Sequence, residues 1–443
     1  MGSLLVAGGT VITLGGRNQV LPDHAVFCQD GVISRIAPRS ELTVLADSTI
    51  DARGKVVMPG FINAHTHFYS TLVRGLTKAE PAAGFQEVLE HLWWRLDRAL
   101  ELEDCRLSAL VALIEAVRHG TTTLIDHHAS PHAVRGSLDA VAQAVTRVGL
   151  RACLCYEVSD RDGERTAGDG LDENVAFLER CAREPDPQLR ALFGLHAAFT
   201  LTDATLERAA AEGRRLGAGF HVHVAEAAAD QEHSLRVHGV RVVERLHRLG
   251  LLGPRTIAAH CVHVDEREFD RLAATGTAVA HCPQSNMNNA VGVADVLKMM
   301  SSGVLVGLGT DAMTENMLEE LRAALWVRHL AAGDPSAGFA ETLAMLVANN
   351  ATIADRLWPG VGLGELREGG AADVVLIDYQ PPTPFDETTF AGHLVFGLSQ
   401  ACVDTTIVAG RVLMAGKRLQ LDLDEAELAA RARERSRALW ERF

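Results

Sequence analysis

A (β/α)8 barrel carrying a small β-sandwich built from both chain ends is the fold this sequence predicts, on three observations. Between about residue 60 and residue 365, strand-like runs alternate with amphipathic helical stretches. Both ends of the chain instead have the texture of short strands and tight turns. Histidine or aspartate closes most of the central strand-like runs, the position where barrels of this kind gather their active sites.

Residues 1–60 read as short strands, among them Leu4–Val6, Thr10–Leu14, Ala25–Cys28, Val32–Ile36 and Lys55–Met58, with Asp30-Gly31 as a hairpin turn. That stretch is too short to hold a core alone. The same texture returns in Ala372–Asp378 and Thr405–Leu413, so 1–60 and 365–420 are expected to fold together as one β-sandwich. Residues 61–364 offer eight strand candidates: Phe61–Ala64, Thr122–Asp126, Arg151–Glu157, Ala191–His196, Gly219–Val224, Thr256–His260, Ala278–His281 and Val304–Asp311. Helical periodicity fits between them, as in Leu107–His119, Thr205–Leu216, Val240–Leu249 and Glu266–Ala274. A doubly wound sheet would open on a Gly-rich nucleotide turn, and Gly8-Gly9 and Gly15-Gly16 lack the G-x-G-x-x-G spacing. Residues 421–443, rich in Ala, Glu, Arg and Leu, predict a terminal helix.

Composition narrows the function classes. With 443 residues, 47% hydrophobic and 22% charged, the chain has the make-up of a large globular enzyme. A formal charge of −15 argues against a nucleic-acid partner, which would require a basic patch. No apolar run approaches the roughly 18 residues that span a bilayer. Met1–Ala7 lacks the basic start of a signal peptide, so the cytoplasm is the expected compartment. The eight cysteines form no C-x-x-C pair and read as buried small apolar residues.

Four polar clusters sit at predicted strand ends. His65 and His67 are two apart, so in an extended strand both imidazoles share a face and can grip one cation. His221, His223 and Glu226 follow on the fifth strand, with His221 assigned to packing behind the site. His260, Cys261 and His263 end the sixth, and Gly307–Asp311 ends the eighth on a carboxylate. Three imidazoles and one carboxylate with a position left open describe a catalytic rather than a structural metal site, whose cation makes water acidic enough to attack near neutral pH. Glu226 suits a proton shuttle, and His260 could orient or deprotonate the water together with Asp311.

PGFINAHTH, HVHVAE, AAHCVH, AHCPQSNM and GLGTD resemble the motifs of the amidohydrolase superfamily, in the branch of triazine hydrolases and nucleobase-type deaminases. The likeness extends over essentially the whole chain. WWRLDRAL, DHHASP, SNMNNAVG and AGHLVFG are similar to the aminohydrolase group called SsnA, which travels with purine-degradation functions. The resemblance implies that His65, His67, His223 and Asp311 bind one divalent metal ion, zinc first and Fe2+ second. It implies that Glu226 and His260 act on water and substrate, and that His196 hydrogen-bonds a small heterocyclic substrate. Dinuclear relatives carry a bridging lysine on the fourth strand, and 191–200 has none, so one metal is expected. Related purine deaminases use a Glu where this chain offers Asp97. Trp94 and His127, the latter preferred to His128, are the remaining candidates for the pocket wall.

The implied reaction is hydrolytic deamination of a purine-derived or related ring, by a homodimer or higher homo-oligomer. Hydrolysis of a cyclic amide, or of a chloro- or alkylamino-triazine, is the alternative within the class. A non-catalytic barrel scaffold is the rival outside it. H-E-x-x-H, G-x-S-x-G and the H-x-E with P-C-x-x-C pair are all absent, which excludes the common metalloprotease, serine-hydrolase and nucleotide-deaminase readings.

Overall fold

The computed structural model describes residues 2–443. Five strands precede the barrel: β1 (Ser3–Ile12), β2 (Val20–Gln29), β3 (Val32–Pro38), β4 (Ser48–Asp51) and β5 (Val56–Pro59). The barrel strands are β6 (Phe61–Thr66), β7 (Thr121–Asp126), β8 (Arg151–Leu154), β9 (Leu189–Ala191), β10 (Phe193–Ala197), β11 (Phe220–Val224), β12 (Ile257–His260), β13 (Ala278–His281) and β14 (Leu305–Leu308). After them come β15 (Val374–Asp378), β16 (Cys402–Val408), β17 (Arg411–Ala415) and β18 (Arg418–Leu419).

The parallel strands form one four-stranded run, β6 to β9, and one five-stranded run, β10 to β14. Single parallel bridges, Thr66 to Asp311 and Val158 to Leu195, join the two runs into a barrel. Both faces of these strands are covered, which is why Ile62, Leu124, Val222, Val279 and Val306 sit in near-continuous apolar runs, all buried. Three strand candidates differ from expectation: the third ends at Leu154 rather than Glu157, the fourth is broken at Leu192 into β9 and β10, and the eighth ends at Leu308 rather than Asp311. Beyond Leu154 the chain keeps only isolated bridges, so Glu157 is carried to the barrel mouth.

The strands from the two chain ends share one nine-stranded mixed sheet, in the order β18-β17-β16-β15-β5-β1-β2-β3 with β4 on β1. The sandwich is thus a single sheet curled on itself. Its seam is the antiparallel ladder of β5 with β15, Pro59 opposite Val374, which leaves no break between the halves. Curling brings the β2–β3 turn onto the β16–β17 turn, where a Cβ on Gly31 (φ +85°) would lie 3.1 Å from the Ala409 carbonyl oxygen. Leu4, Val26, Ile33, Val374, Leu376 and Ile407 pack together inside the curl.

The terminal helix runs Glu425–Arg442, started by Asp424, whose carboxylate accepts from the amides of Ala426 and Glu427 at 2.8 and 3.0 Å. Among the described residues, no helix is long and apolar enough to cross a membrane.

Candidate metal centre and active site

The two histidines at the end of β6 and His223 on β11 point their Nε2 atoms at one spot. Each is held there by a hydrogen bond from its other nitrogen. Nδ1 of His67 donates to the His127 carbonyl (2.5 Å), and Nδ1 of His223 donates to the His196 carbonyl (2.9 Å). His65 is fixed by a longer chain. The Cys155 thiol donates to the Asp126 carbonyl, leaving its sulfur to accept from Nδ1 of His221 at 3.8 Å. Nε2 of His221 then accepts from Nδ1 of His65 at 2.9 Å. In each ring the Nδ1 contact leaves Nε2 as the atom turned toward the site, where a metal requires it as a lone pair.

Asp311 completes the set from three residues beyond β14, where a single parallel bridge ties it to Thr66. Its Oδ1 lies 3.0 Å from Nε2 of His67 and 3.8 Å from Nε2 of His65. Nε2 of His67 and Nε2 of His223 face each other at 3.3 Å, and buried Nε2 of His65 has no hydrogen-bond partner. Three imidazole nitrogens and a carboxylate crowded into a dry site, one of the nitrogens without a partner, make a donor set that fits a divalent metal ion. Gly309 makes room for the approach of β14 to β6: a Cβ there would sit 2.7 Å from that of His65.

Beside this cluster are the proton-handling groups. Nδ1 of His260 donates to Oδ1 of Asn286 (2.9 Å), leaving Nε2 as an acceptor 3.5 Å from Glu226 and 3.9 Å from Asp311. Burial, reinforced by the nearby charges of Asp311 and Asp230, holds the Glu226 carboxyl well above the usual carboxylate range. Burial pushes Asp311 the same way, but hydrogen bonding to His67 and the surrounding imidazoles outweigh it, and its carboxylate titrates well below the usual range. The chain turns sharply as it leaves these strands: Ala225, His260, Cys261 and Asp311 all have left-handed backbones, with φ of 47°, 70°, 51° and 54°. Strain of this kind concentrates at functional sites.

The cavity above the cluster is walled by Trp93, Trp94 and Asp97 on one side and by Glu157, Arg161 and His196 on another. His196 donates from Nδ1 to Oγ1 of Thr200 (2.8 Å), whose own hydrogen goes to the Ala197 carbonyl (3.0 Å). Its Nε2 is left facing Glu157 at 3.8 Å. Asp97 is buried and ion-paired with Arg161, and burial is the main cause that raises its carboxyl to about 6. Buried polar atoms without partners line this wall: Nε1 of Trp94, Oδ1 of Asp97 and Nη1 of Arg161.

The placement of His127 corrects the sequence reading. It does not line the cavity but lies deeper, grouped with His65, His67 and His223 and stacked on His221 with ring centroids 4.4 Å apart. The strand stops at Asp126, and the hydrogen bond from the His127 amide to the Thr66 carbonyl (2.9 Å) turns its side chain into the barrel. His128 is buried too, against Ser130 at 3.0 Å. His263 is tied to the Val291 carbonyl at 2.7 Å, away from the cluster. Glu157, Arg161 and Tyr69 line the cavity without having been singled out from sequence. For Glu157 the signal was available, since it ended a strand candidate with a carboxylate as Asp311 does.

A sequence profile described as the amidohydrolase family matches residues 56–413. The chain is 34% identical over 448 residues to a 5-methylthioadenosine/S-adenosylhomocysteine deaminase of Pelotomaculum thermopropionicum, covering 98% of each. It is 33% identical over 441 residues to a 5'-deoxyadenosine deaminase of Methanosarcina acetivorans, covering 98% of this chain and 97% of that one. A crystal structure of an adenosine deaminase from Xanthomonas campestris with bound zinc superposes with a TM-score of 0.86 at 27% identity, covering 98% of both chains.

Proposed function

The chain belongs to the amidohydrolase family, and from that premise we propose that it is a metal-dependent aminohydrolase that deaminates an adenosine-type or related purine-derived ring. One observation carries this reading: His65, His67 and His223 cluster at ligand spacing, Oδ1 of Asp311 lies 3.0 Å from Nε2 of His67, and the Glu226–His260 pair stands beside them on the floor of a walled cavity. The ligands in this reading are His65, His67, His223 and Asp311, holding one ion per chain, zinc before Fe2+. Such a cation supplies Lewis acidity that brings the pKa of water towards neutrality.

The chain's own residues do the rest. His260 presents a bare Nε2 to accept a proton from the attacking water, with Asn286 fixing its tautomer. Asp311 keeps its charge, with one oxygen near the histidines and the other accepting from Ser285. Glu226, protonated through burial, donates to a ring nitrogen next to the attacked carbon. As the added hydroxyl becomes a carbonyl its proton passes to the amine, which leaves as ammonia, and the proton held by His260 returns to Glu226, 3.5 Å away. His196, Asp97 and Trp94 face the ring and its substituent, and the unpartnered polar atoms on that wall suit a planar substrate with polar edges. The relatives' adenosine-type substrates favour a nucleoside over a triazine. The reading places the protein in purine catabolism in the cytoplasm, as a homodimer or larger homo-oligomer.

The test is ammonia release by the purified, zinc-loaded protein from adenosine, 5'-deoxyadenosine, 5'-methylthioadenosine, S-adenosylhomocysteine and guanine, with a cyclic amide and a chlorotriazine as controls. Turnover of the controls alone would overturn it. Metal analysis should return about one ion per chain.

A further inference from the structure

We propose that the C-terminal helix Glu425–Arg442 is a positioning element of the active site, acting through Trp440 and Arg442 on the wall that carries Trp93, Trp94 and Asp97. The wall stands on thin support. Phe85–Val88 is one helical turn, Leu89–Trp93 is a π-type turn, and Trp94–Ala99 adds less than two turns before the chain breaks at Leu100. π turns are weak points in a helix and recur at functional sites.

The C-terminal helix grips this segment at several points. Nε1 of Trp440 donates to the Leu72 carbonyl (2.9 Å), within the short 3-10 turn Phe68–Val73 that starts at the metal-site residue His67. Nε of Arg442 donates to the Ala99 carbonyl (2.9 Å), at the end of Trp94–Ala99. Between these points, Arg95 donates to the Phe443 backbone oxygen (2.7 Å), and its guanidinium lies 4.2 Å over the Phe443 ring. Arg435 and Arg442 both pair with buried Asp104, just beyond the segment. Leu439, the one fully buried residue of the helix, packs with Leu72, Leu96 and Tyr69, while Trp93 and Trp440 border the same cluster. Tyr69 and Trp93 also line the cavity.

Most of this helix faces solvent; its body is ion-paired to Leu102–His119, through Arg118 with Glu425 and Arg431 with Glu103, and only its last turns reach the substrate wall. A helix docked by a few directed contacts holds what it touches more than it adds to the core. Neither Trp440 nor Arg442 contacts His65, His67, His223, Asp311, Glu226 or His260, and the hydrogen bonds that hold those side chains come from the barrel. The consequence falls on how firmly the wall holds the substrate, in the ground state and the transition state alike.

This inference rests on the deaminase reading for its kinetic arm but not for its structural arm. Trp440→Ala and Arg442→Gln are compared with the wild type for KM and kcat on the ring that the substrate panel identifies. Metal content and amide hydrogen exchange over residues 85–100 are measured on the same proteins. The expected result is a KM raised about tenfold with kcat changed less than about threefold. Metal content stays constant and exchange in 85–100 is faster, while Trp440→Phe, which keeps the packing, falls in between. Should neither variant alter KM or exchange in that segment, the helix is structural only and the proposal fails. If no ring is deaminated, the deaminase reading fails and the exchange comparison still decides the positioning role.

Discussion

Asp311 and Glu226 show how environment divides two buried carboxylates between two tasks. Hydrogen bonding to His67 and the ring of imidazoles keeps Asp311 charged, whereas burial and the charge of Asp311 itself keep Glu226 protonated. Pairs pushed apart in this way mark acid and base assignments. Glu226→Gln retains the shape and removes the transferable proton. Turnover should fall by about 10²- to 10⁴-fold while metal content stays at the wild-type level, measured by ammonia release and metal analysis. A variant of near-normal activity would remove Glu226 from the mechanism. The residues that emerged from sequence alone are those whose geometry follows from strand periodicity, such as His65 with His67. His127 was misplaced because the chain leaves β7 at Asp126, and alternation no longer dictates direction once a strand ends. Arg161 was invisible because its partner, Asp97, lies on a helix 64 residues earlier in the chain.

At the scale of elements, the barrel strands are tied together by hydrogen bonds that pass beneath the site. The chain from Cys155 on the β8 extension through His221 on β11 to His65 on β6 fixes the tautomer of one metal-site residue from two other strands. Outer partners of this kind usually govern metal affinity by about 10- to 100-fold. His221→Phe should therefore weaken binding by that order in a chelator competition, with the ring volume roughly preserved. Equal affinity in variant and wild type would show that His65 needs no such support. The strand–helix alternation that placed His221 on β11 was legible because each central strand is an apolar run between amphipathic helices. The break between β9 and β10 and the curl of the nine-stranded sheet were not. Both depend on pairings between distant segments, such as Pro59 with Val374, that no local pattern encodes.

For the whole molecule, two buried features set stability. Glu315 accepts from Thr66 (3.0 Å) and Asn63 (3.2 Å), and burial lifts its carboxyl from the ordinary 4.5 to about 8. Glu320 is lifted to about 8 for the same main reason. Between about 4.5 and 8 the folded chain therefore binds more protons than the unfolded chain. That contribution is complete below the unfolded value and is lost as pH rises through the folded one. Thermal midpoints should fall from pH 5 to pH 9, and Glu315→Gln should fall less steeply, by an amount on the order of a few kcal/mol at the alkaline end. Parallel slopes would show that Glu315 does not titrate in this window.

The second feature joins the barrel to the curled sheet. Arg151 on β8 pairs with Asp373, just before β15, through Nε at 2.7 Å and Nη2 at 3.1 Å, both side chains being about 4% exposed. The Asp373 carboxylate also accepts from the Ala409 amide (2.8 Å), so one buried ion pair links a barrel strand to two strands of the sheet. Replacing a buried pair with apolar side chains is often tolerated, whereas removing one partner leaves an uncompensated charge. Arg151→Met should therefore cost about 3 to 5 kcal/mol in urea unfolding. Adding Asp373→Leu should recover most of that loss, because the orphaned carboxylate disappears with it. Metal content should be normal in both variants while they remain folded, since the pair is remote from His65, His67, His223 and Asp311. A single variant within about 1 kcal/mol of wild type would mean that the sheet and barrel are held by their apolar contacts and the β5–β15 ladder alone.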